Sequence, residues 1–235
     1  RRVLLIGWNG NVFDILVELD AHALRGTEIV LLSDMDPEAA RKHVEQLLEH
    51  ELENVSVEYL AGDPVERGSY SEIDLTSFQT IVLLADTSSG ESDIDARTLR
   101  TLLRLSDLRR RTAASPHTVV ELLDIANKDL LAGLHVDDVV FSDQVISAQL
   151  AQIAKQPVLG PIYRELLSAG GVEISLRPVG DYVEIGSSCS FFDLAFAAQQ
   201  KMEIALGVRL AREGELFLNP ERELAWCLEA DDRVG

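Results

Sequence analysis

Basic residues are scarce in this sequence, and the shortage argues against several classes of partner. In 235 residues, 21 lysines and arginines are set against 40 aspartates and glutamates, which gives a formal net charge of −19. Phosphate backbones and anionic lipids repel a surface of that sign. We therefore expect no nucleic acid partner and no direct attraction to a membrane surface. The acidity is interpreted first as a solvated surface and second as a source of cation ligands.

Cysteines and long apolar runs are also in short supply. Cys189 and Cys227 are the only cysteines, and neither lies in a CxxC pair or beside a histidine at metal-ligand spacing. A reducing compartment fits that usage. No apolar run approaches the roughly 18 residues that cross a bilayer, and the N-terminus lacks the apolar core of a signal peptide. We expect both ends to be boundaries inside a longer protein.

Short apolar runs alternate with helical patterns in the first two thirds of the chain. Six runs rich in Val, Ile and Leu are typical of strands buried on both faces: 3–7, 28–34, 55–63, 80–86, 118–124 and 138–143. Helical patterns are found at 11–25, 37–50, 91–111 and 142–154. Strand and helix alternating at this spacing predict an α/β fold with a doubly wound parallel, Rossmann-like sheet.

Two of these helices have distinctive faces. The helix at 91–111 has Ala96, Leu99, Leu102 and Leu103 on one stripe, which we expect to pack on the sheet. The helix at 142–154 is apolar around much of its circumference, so we expect wider burial, against a second copy of the chain.

The pattern changes at Gln156 and Pro157. A smaller α+β lobe is predicted from a short helix at about 161–169, half-buried strands at 172–178 and 203–211, a helix near 190–201 and a last visible strand at 223–230. The predicted domains are a Rossmann-like N-lobe at 1–141, a crossover helix at 142–156 and a C-lobe at 157–235. We expect the C-lobe to be truncated before its own final strand.

The first turn of the predicted sheet, LIGWNGNVFD at residues 5–14, has lost most of a dinucleotide fingerprint. That fingerprint requires three glycines, and its positions here hold Gly7, Asn9 and Val12. Asn tolerates left-handed backbone angles, and the free amides of the helix that follows can attract an anion. Trp8 and Val12, however, add bulk where a pyrophosphate would pass. The candidate cofactor-binding residues of the loop are Gly7, Trp8, Asn9, Gly10 and Asn11.

Three acids follow predicted strands and extend the candidate cofactor site. Asp34 ends the second strand, where a ribose-binding acid belongs, and Asp63 and Asp86 follow the third and fourth strands. All three reach the carboxyl edge at which open α/β sheets bind ligands. Such a rim repels a polyphosphate unless a cation bridges the acids. The residues leave open a cation, a nucleotide in an altered pose and an empty cleft.

No catalytic constellation is visible in the sequence. The five histidines have no HxH or HExxH setting, and no serine lies in a G-x-S-x-G elbow. We therefore expect no catalytic residue and no enzyme. The alternative is an NAD(P)-dependent oxidoreductase with a degenerate glycine loop, which the missing glycines and the missing acid/base pair oppose.

Several segments, taken in order, resemble the RCK (regulator of potassium conductance) domain, and within that superfamily the CASTOR/POLLUX type of ion channel. They are LIGWNG in the first loop, SDIDARTLRTLLRLSDL, DDVVFSDQVISAQLAQIA leading into PIYRELLSAGGVEISLRP, and CSFFDLAFAAQQKMEIALGVRLA with the NP turn that follows. Trp8 in the first loop distinguishes the chain from the NAD-binding Trk/Ktr type.

The resemblance implies a ligand-sensing gating module on the cytoplasmic side of a membrane, attached to the transmembrane pore of its parent chain. Such modules pair through the crossover helix, here 142–156, and assemble as homo-oligomers into gating rings. The implied activity is cation transport. The implied ligand is Ca²⁺ or another divalent cation, ahead of NAD(H) or an adenine nucleotide, and the acids singled out as metal ligands are Asp14, Asp34 and Asp86. In the first loop, NGNVFD replaces the basic and acidic run of the plant members.

Overall fold

The computed structural model of the chain describes residues 1–48, 51–87, 93–168, 174–212 and 214–235. The chain divides into two compact units, residues 1–170 and residues 171–235. The lobe boundaries predicted at 141/142 and 156/157 stay predictions, because the extent of a compact unit does not fix where a functional lobe begins.

A six-stranded parallel sheet forms the centre of the first unit. Its strands are β1 (Arg2–Ile6), β2 (Thr27–Ser33), β3 (Val55–Ala61), β4 (Thr80–Leu83), β5 (His117–Leu122) and β6 (Asp138–Phe141). They lie in the order β3-β2-β1-β4-β5-β6, and every neighbouring pair is parallel. The Rossmann-like α/β fold predicted from the six apolar runs is confirmed.

Helices cover both faces of this sheet, which explains why its strands are apolar at consecutive positions. Three helices follow β1, β2 and β4: α1 (Val12–His22), α2 (Pro37–Leu47) and α3 (Ile94–Thr112). Leu4 packs in the core cluster that contains Leu102 of α3, and its neighbour Leu5 packs in the opposite cluster with Leu16 of α1. Both strand residues are fully buried. Residues 49–50 and 91–92, predicted as helix, lie outside the described residues.

Two further helices complete the first unit. Helix α4 (Ser142–Lys155) follows β6 without an intervening loop, and α5 (Leu159–Leu167) follows after a short turn. Both helices lie within the described residues, and neither contains a buried residue. The helix predicted at 142–154 is therefore present, with Val145, Ile146 and Leu150 exposed and Ile153 half-buried. No helix in the described part of the chain combines the length and apolar character needed to cross a membrane.

The second unit is a smaller α+β lobe, as predicted. Its elements are β7 (Arg177–Pro178), β8 (Ser188–Ser190), α6 (Phe191–Gln200), β9 (Gly207–Leu210), β10 (Glu215–Leu218), β11 (Ala225–Cys227) and β12 (Arg233–Val234). A four-stranded antiparallel sheet has the order β10-β9-β12-β7, and β8 pairs with β11 so that Cys189 is opposite Trp226. Helix α6 begins with a capping box between Ser190 and Asp193.

All three strand predictions in this lobe need correction, and the strand predicted at 203–211 shortens to β9 (Gly207–Leu210). Of the strand predicted at 172–178, only Arg177–Pro178 pairs among the described residues, and positions 172–173 lie outside them. The strand predicted at 223–230 shortens to β11 and is not the last, because β12 follows it and pairs with both β7 and β9. A strand of two residues has no alternating pattern that a sequence could display.

Candidate functional site

The loop between β1 and α1 begins at a glycine that its backbone requires. Gly7 adopts φ = +93°, a conformation that L side chains rarely adopt. Its amide donates to the Leu32 carbonyl oxygen at 2.9 Å. A Cβ atom at this position would lie 3.1 Å from the Leu84 carbonyl oxygen. The first glycine of the fingerprint is thus retained for a conformational reason.

Replacing Gly7 with alanine is expected to lower the free energy of unfolding by about 1–3 kcal/mol, because the variant adds left-handed strain. Urea denaturation followed by circular dichroism measures the change. Gly10→Ala is the matched control, since a Cβ atom added at Gly10 would meet no heavy atom within 4 Å, and we expect it to change stability by less than about 0.5 kcal/mol. Equal effects of the two substitutions would contradict this account of the loop.

Asn9 stands where the second glycine of the fingerprint would be, and its side chain explains the exchange. The side chain is buried, and its Nδ2 donates to the Ala85 carbonyl oxygen at 3.0 Å and to Glu121 Oε2 at 2.9 Å. Its Oδ1 accepts a bond from the Asn11 amide at 2.9 Å. A glycine would remove all three bonds. Asn9 therefore cross-links the loop to the sheet where a fingerprint glycine would leave open backbone.

The bulky residues of the loop point into the core. Trp8 packs with Val12 in the same core cluster, and the Trp8 ring meets the His43 ring of α2 edge-on at 5.8 Å between centroids. The side chains of Trp8 and Val12 therefore lie in the core. The prediction that they add bulk where a pyrophosphate would pass is wrong. Gly10 and Asn11 are exposed at the start of α1, where Asn11 makes no side-chain cap.

The three acids predicted to meet at the carboxyl edge do meet there, around the guanidinium of Arg97. Arg97 Nη2 lies 3.1 Å from Asp34 Oδ2 and 3.1 Å from Asp63 Oδ1, and Arg97 Nε lies 3.6 Å from Asp86 Oδ2. The Arg97 and Asp86 side chains are each 5% exposed, whereas Asp34 and Asp63 are 30% and 42% exposed. We call these four residues the Arg97 cluster.

The loop that carries Asp63 is itself held in place. Asp63 Oδ1 accepts from the Val65 amide at 2.9 Å, and the Tyr70 hydroxyl donates to the Pro64 carbonyl oxygen at 2.7 Å. Burial, with a smaller contribution from the charge of Asp63, raises the pKa of Tyr70 above its ordinary value. The phenol therefore stays neutral and available as a donor throughout the ordinary pH range.

Arg97 changes what the acidic rim can bind. Three carboxylates facing one guanidinium retain an excess of negative charge, but the cation that the rim requires is supplied by the chain itself. Across the described ranges, no group of three or more His, Cys, Asp or Glu side chains is arranged to hold a metal ion. Of the acids singled out as metal ligands, Asp34 and Asp86 belong to the Arg97 cluster, whereas Asp14 is exposed in the first turn of α1.

Sequence reasoning missed Arg97, although one signal was present. Helix α3 buries a polar set, Asp95, Arg97, Thr98 and Thr101, beside its apolar residues. Asp95 accepts bonds from the amides of Leu123 and Asp124, at 2.8 Å and 3.0 Å. A basic residue in the first turn of a helix opposes the helix dipole, so a strong tertiary partner is the usual reason for it.

The fold and this edge together define a class: a Rossmann-like unit with an altered glycine loop, followed by a smaller α+β lobe. Known proteins with a similar sequence define this class further. The chain is 30% identical over 251 residues to the ion channel CASTOR of Lotus japonicus, an alignment that covers 94% of this chain and 29% of CASTOR. It is 25% identical over 265 residues to the ion channel DMI1 of Medicago truncatula, covering 97% of this chain and 30% of DMI1. It is 24% identical over 263 residues to the ion channel POLLUX of Lotus japonicus, an alignment that covers 97% of this chain and 29% of POLLUX.

The chain is therefore a homologue, over almost its whole length, of one region of the CASTOR/POLLUX ion channels, and the resemblance predicted from the sequence is confirmed. It spans less than a third of the length of these relatives. No family model matches the chain. Among solved structures, a GsuK channel bound to NAD aligns with 99% of this chain and 36% of its own, at 14% identity and a TM-score of 0.44. A similarity this low gives no information about which ligand this chain binds.

Proposed function

We propose that this chain is an RCK-type, ligand-sensing gating module of a CASTOR/POLLUX-type cation channel, on the cytoplasmic side of the membrane that holds the pore. The observation that carries the proposal is the alignment of 94% of the chain with a region of CASTOR. The Rossmann-like sheet, with its candidate site at the carboxyl edge, supports a sensing role over an unrelated structural one.

The exposed face of α4 and α5 supports pairing with a second copy of the chain. Ile146 and Leu150 lie one turn apart on α4 and are 53% and 64% exposed. Val158, Ile162 and Leu166, spaced four residues apart along α5, are exposed on one face of that helix. An apolar surface of this extent marks an interaction site in a water-soluble unit. Two copies that pair through this face bury it by a twofold contact, the commonest symmetry of homo-oligomers. Further contacts would then extend the pairs to a ring.

An adenine nucleotide is the ligand that the site geometry favours. Gly7 keeps the tight turn of the loop, and Asp34 and Asp63 are exposed enough to accept bonds from ribose hydroxyls. The divalent cation that the family resemblance implied as first choice does not fit the residues as they are arranged, because Arg97 occupies the centre of the acids. Binding of a divalent cation is therefore kept as one possible result of the titration described below.

The proposed mechanism is a population shift between two conformations of the assembled modules. A ligand moves such an equilibrium only by its differential affinity for the two states, and about 5.5 kcal/mol moves it from 1:99 to 99:1. Several equivalent sites in one assembly divide that requirement, so each site needs to contribute only part of it.

Isothermal titration calorimetry with ATP, NAD⁺, NADH and CaCl₂, each in turn, tests the ligand. We expect an adenine nucleotide to bind, and Asp34→Asn to weaken it by about 10-fold to 100-fold, because a charged hydrogen-bond acceptor is lost. Asp36→Asn is the matched control: it removes the same charge two residues away, and asparagine still caps α2.

Other outcomes of this titration would contradict the proposal in different ways. Binding of calcium alone would replace the nucleotide with a cation. Nicotinamide absorbance that copurifies with the protein, together with substrate turnover, would favour the oxidoreductase alternative. No binding at all, from a chain that sediments as a monomer at high concentration, would reject the gating role.

A further inference from the structure

Glu121 lies at the point where three segments of the first unit meet. It is the penultimate residue of β5, between Val120 and Leu122, which are both fully buried in the core cluster beneath α3. Side chains alternate along a strand, so the Glu121 carboxylate points to the opposite face of the sheet. There it is only half-buried.

Three neutral donors, each from a different segment, bind this carboxylate. Oε2 accepts from Asn9 Nδ2 at 2.9 Å and from the Ala85 amide at 3.1 Å. Oε1 accepts from the hydroxyl of Ser142. In the described part of the chain, no Lys, Arg or His forms an ion pair with Glu121. The carboxylate therefore depends on these donors, and moving one of them leaves a partly desolvated charge poorly satisfied.

The bonds from Asn9 and Ser142 to Glu121 form a bridge between two segments, a loop at one end and the start of a helix at the other. At one end, Asn9 belongs to the β1–α1 loop, and its Oδ1 also holds the amide of Asn11, the first capping position of α1. At the other end, Ser142 is the first residue of α4, a helix whose own cap position, Phe141, provides no side-chain bond. Phe141 pairs with Leu122 of β5, so β6 holds the start of α4 to the sheet through the backbone, and the bond from the Ser142 hydroxyl to Glu121 adds a side-chain connection there.

We infer that Glu121 is a positioning residue that couples the β1–α1 loop to the first turn of α4. A ligand that shifts Asn9 changes the bond to Oε2, and the same rigid carboxylate then presents Oε1 differently to Ser142. The bridge runs both ways, since a coupling free energy between two sites is reciprocal. This inference rests on the proposed function for the identity of the two sites, namely the ligand loop and the pairing helix. The bridge itself rests only on the hydrogen bonds.

Amide hydrogen exchange on the full chain, without any ligand, tests the bridge. We expect Asn9→Ala to raise exchange in residues 145–148 of α4 about fivefold or more, because the Asn9–Glu121 hydrogen bond is lost at a distance from the helix. Ser142→Ala is expected to raise exchange in residues 10–13 in return. Gly10→Ala changes the same loop without touching Glu121, and it should leave α4 unchanged.

Two variants of Glu121, Glu121→Ala and Glu121→Gln, test whether the effect of Asn9→Ala on α4 passes through Glu121. In Glu121→Ala, adding Asn9→Ala should raise α4 exchange no further. Glu121→Gln should preserve most of the coupling, because its amide oxygen can still accept from Asn9 and Ala85 while its NH2 group donates to the Ser142 hydroxyl oxygen. Unchanged exchange at Leu31 in β2, an interior strand of the sheet, excludes general destabilisation as the cause. If α4 exchange stays at the wild-type value in Asn9→Ala, or rises equally with and without Glu121, the inference is wrong. If the exchange pattern is intact but the chain binds no ligand in the titration and stays monomeric at high concentration, the proposed function is rejected and the bridge still stands.

Discussion

Replacing Arg97 with methionine is expected to lower the free energy of unfolding by about 3–5 kcal/mol, since removing one partner of a buried ion pair leaves uncompensated charge. The loss is large because one guanidinium serves three carboxylates, and the Asp86 side chain is only 5% exposed. Methionine keeps much of the length and volume of arginine, so the change isolates charge and hydrogen bonding from packing.

Urea denaturation at neutral pH measures this loss, and two variants frame it. Arg110→Met removes an arginine from the same helix at an exposed position, where the pair with Asp107 spans 3.9 Å, and we expect less than about 0.5 kcal/mol. Arg97→Lys retains the charge but loses the planar fork, so its stability should fall between those of the wild type and Arg97→Met. An Arg97→Met protein as stable as the Arg110→Met control would show that the cluster does not depend on its cation.

Substituting aspartate for both Ile146 and Leu150 is expected to weaken self-association by at least about 100-fold, because central apolar residues carry most of the energy of an interface. The two residues are four positions apart, so they share one face of α4. Both are exposed within a single copy, so the substitution should not alter the fold of the chain. Sedimentation equilibrium over a range of protein concentrations measures the dissociation constant.

A control pair on the opposite side of α4 makes this test specific. Gln144→Asp with Ala148→Asp adds the same two charges to the same helix, about half a turn away from Ile146 and Leu150. We expect that double variant to associate as the wild type does, with an unchanged circular dichroism spectrum. If both double variants dissociate alike, added charge rather than the apolar face would be responsible. If neither does, pairing must use another surface.

The sheet could be predicted from the sequence because its strands are covered on both sides. Residues such as Leu4 and Leu5 are adjacent and buried in opposite clusters, and that arrangement produces the continuous apolar runs seen in the sequence. Helix α3 was harder, because apolar residues alone do not define its buried face. Leu103, predicted on the packing stripe, is 55% exposed, while Arg97 and Asp95 are buried. Polar residues that serve a site share the buried face with apolar ones, and a hydrophobicity pattern does not register them.

The candidate site was predictable only in part, because some of its contacts join residues that are far apart in the sequence. Asp34, Asp63 and Asp86 could be placed at one edge because each follows a strand of a parallel sheet, and topology brings such positions together. The partner of Asn9 could not, because Glu121 lies on β5, and nothing in the local sequence distinguishes that glutamate from a solvated one. The second unit was least predictable, since strands such as β7 and β12 are two residues long.

The register between β8 and β11 has a consequence for handling the protein. Cys189 is opposite Trp226, so Cys227, the next residue, points to the other face of the pair, and the two thiols cannot meet. Burial, with a smaller contribution from Asp193, raises the pKa of the Cys189 thiol, which makes it a poor nucleophile, whereas Cys227 is exposed. Oxidation in air would therefore join two chains covalently through Cys227 and imitate a dimer. Self-association through α4 is meaningful only when it persists in the presence of a reducing agent.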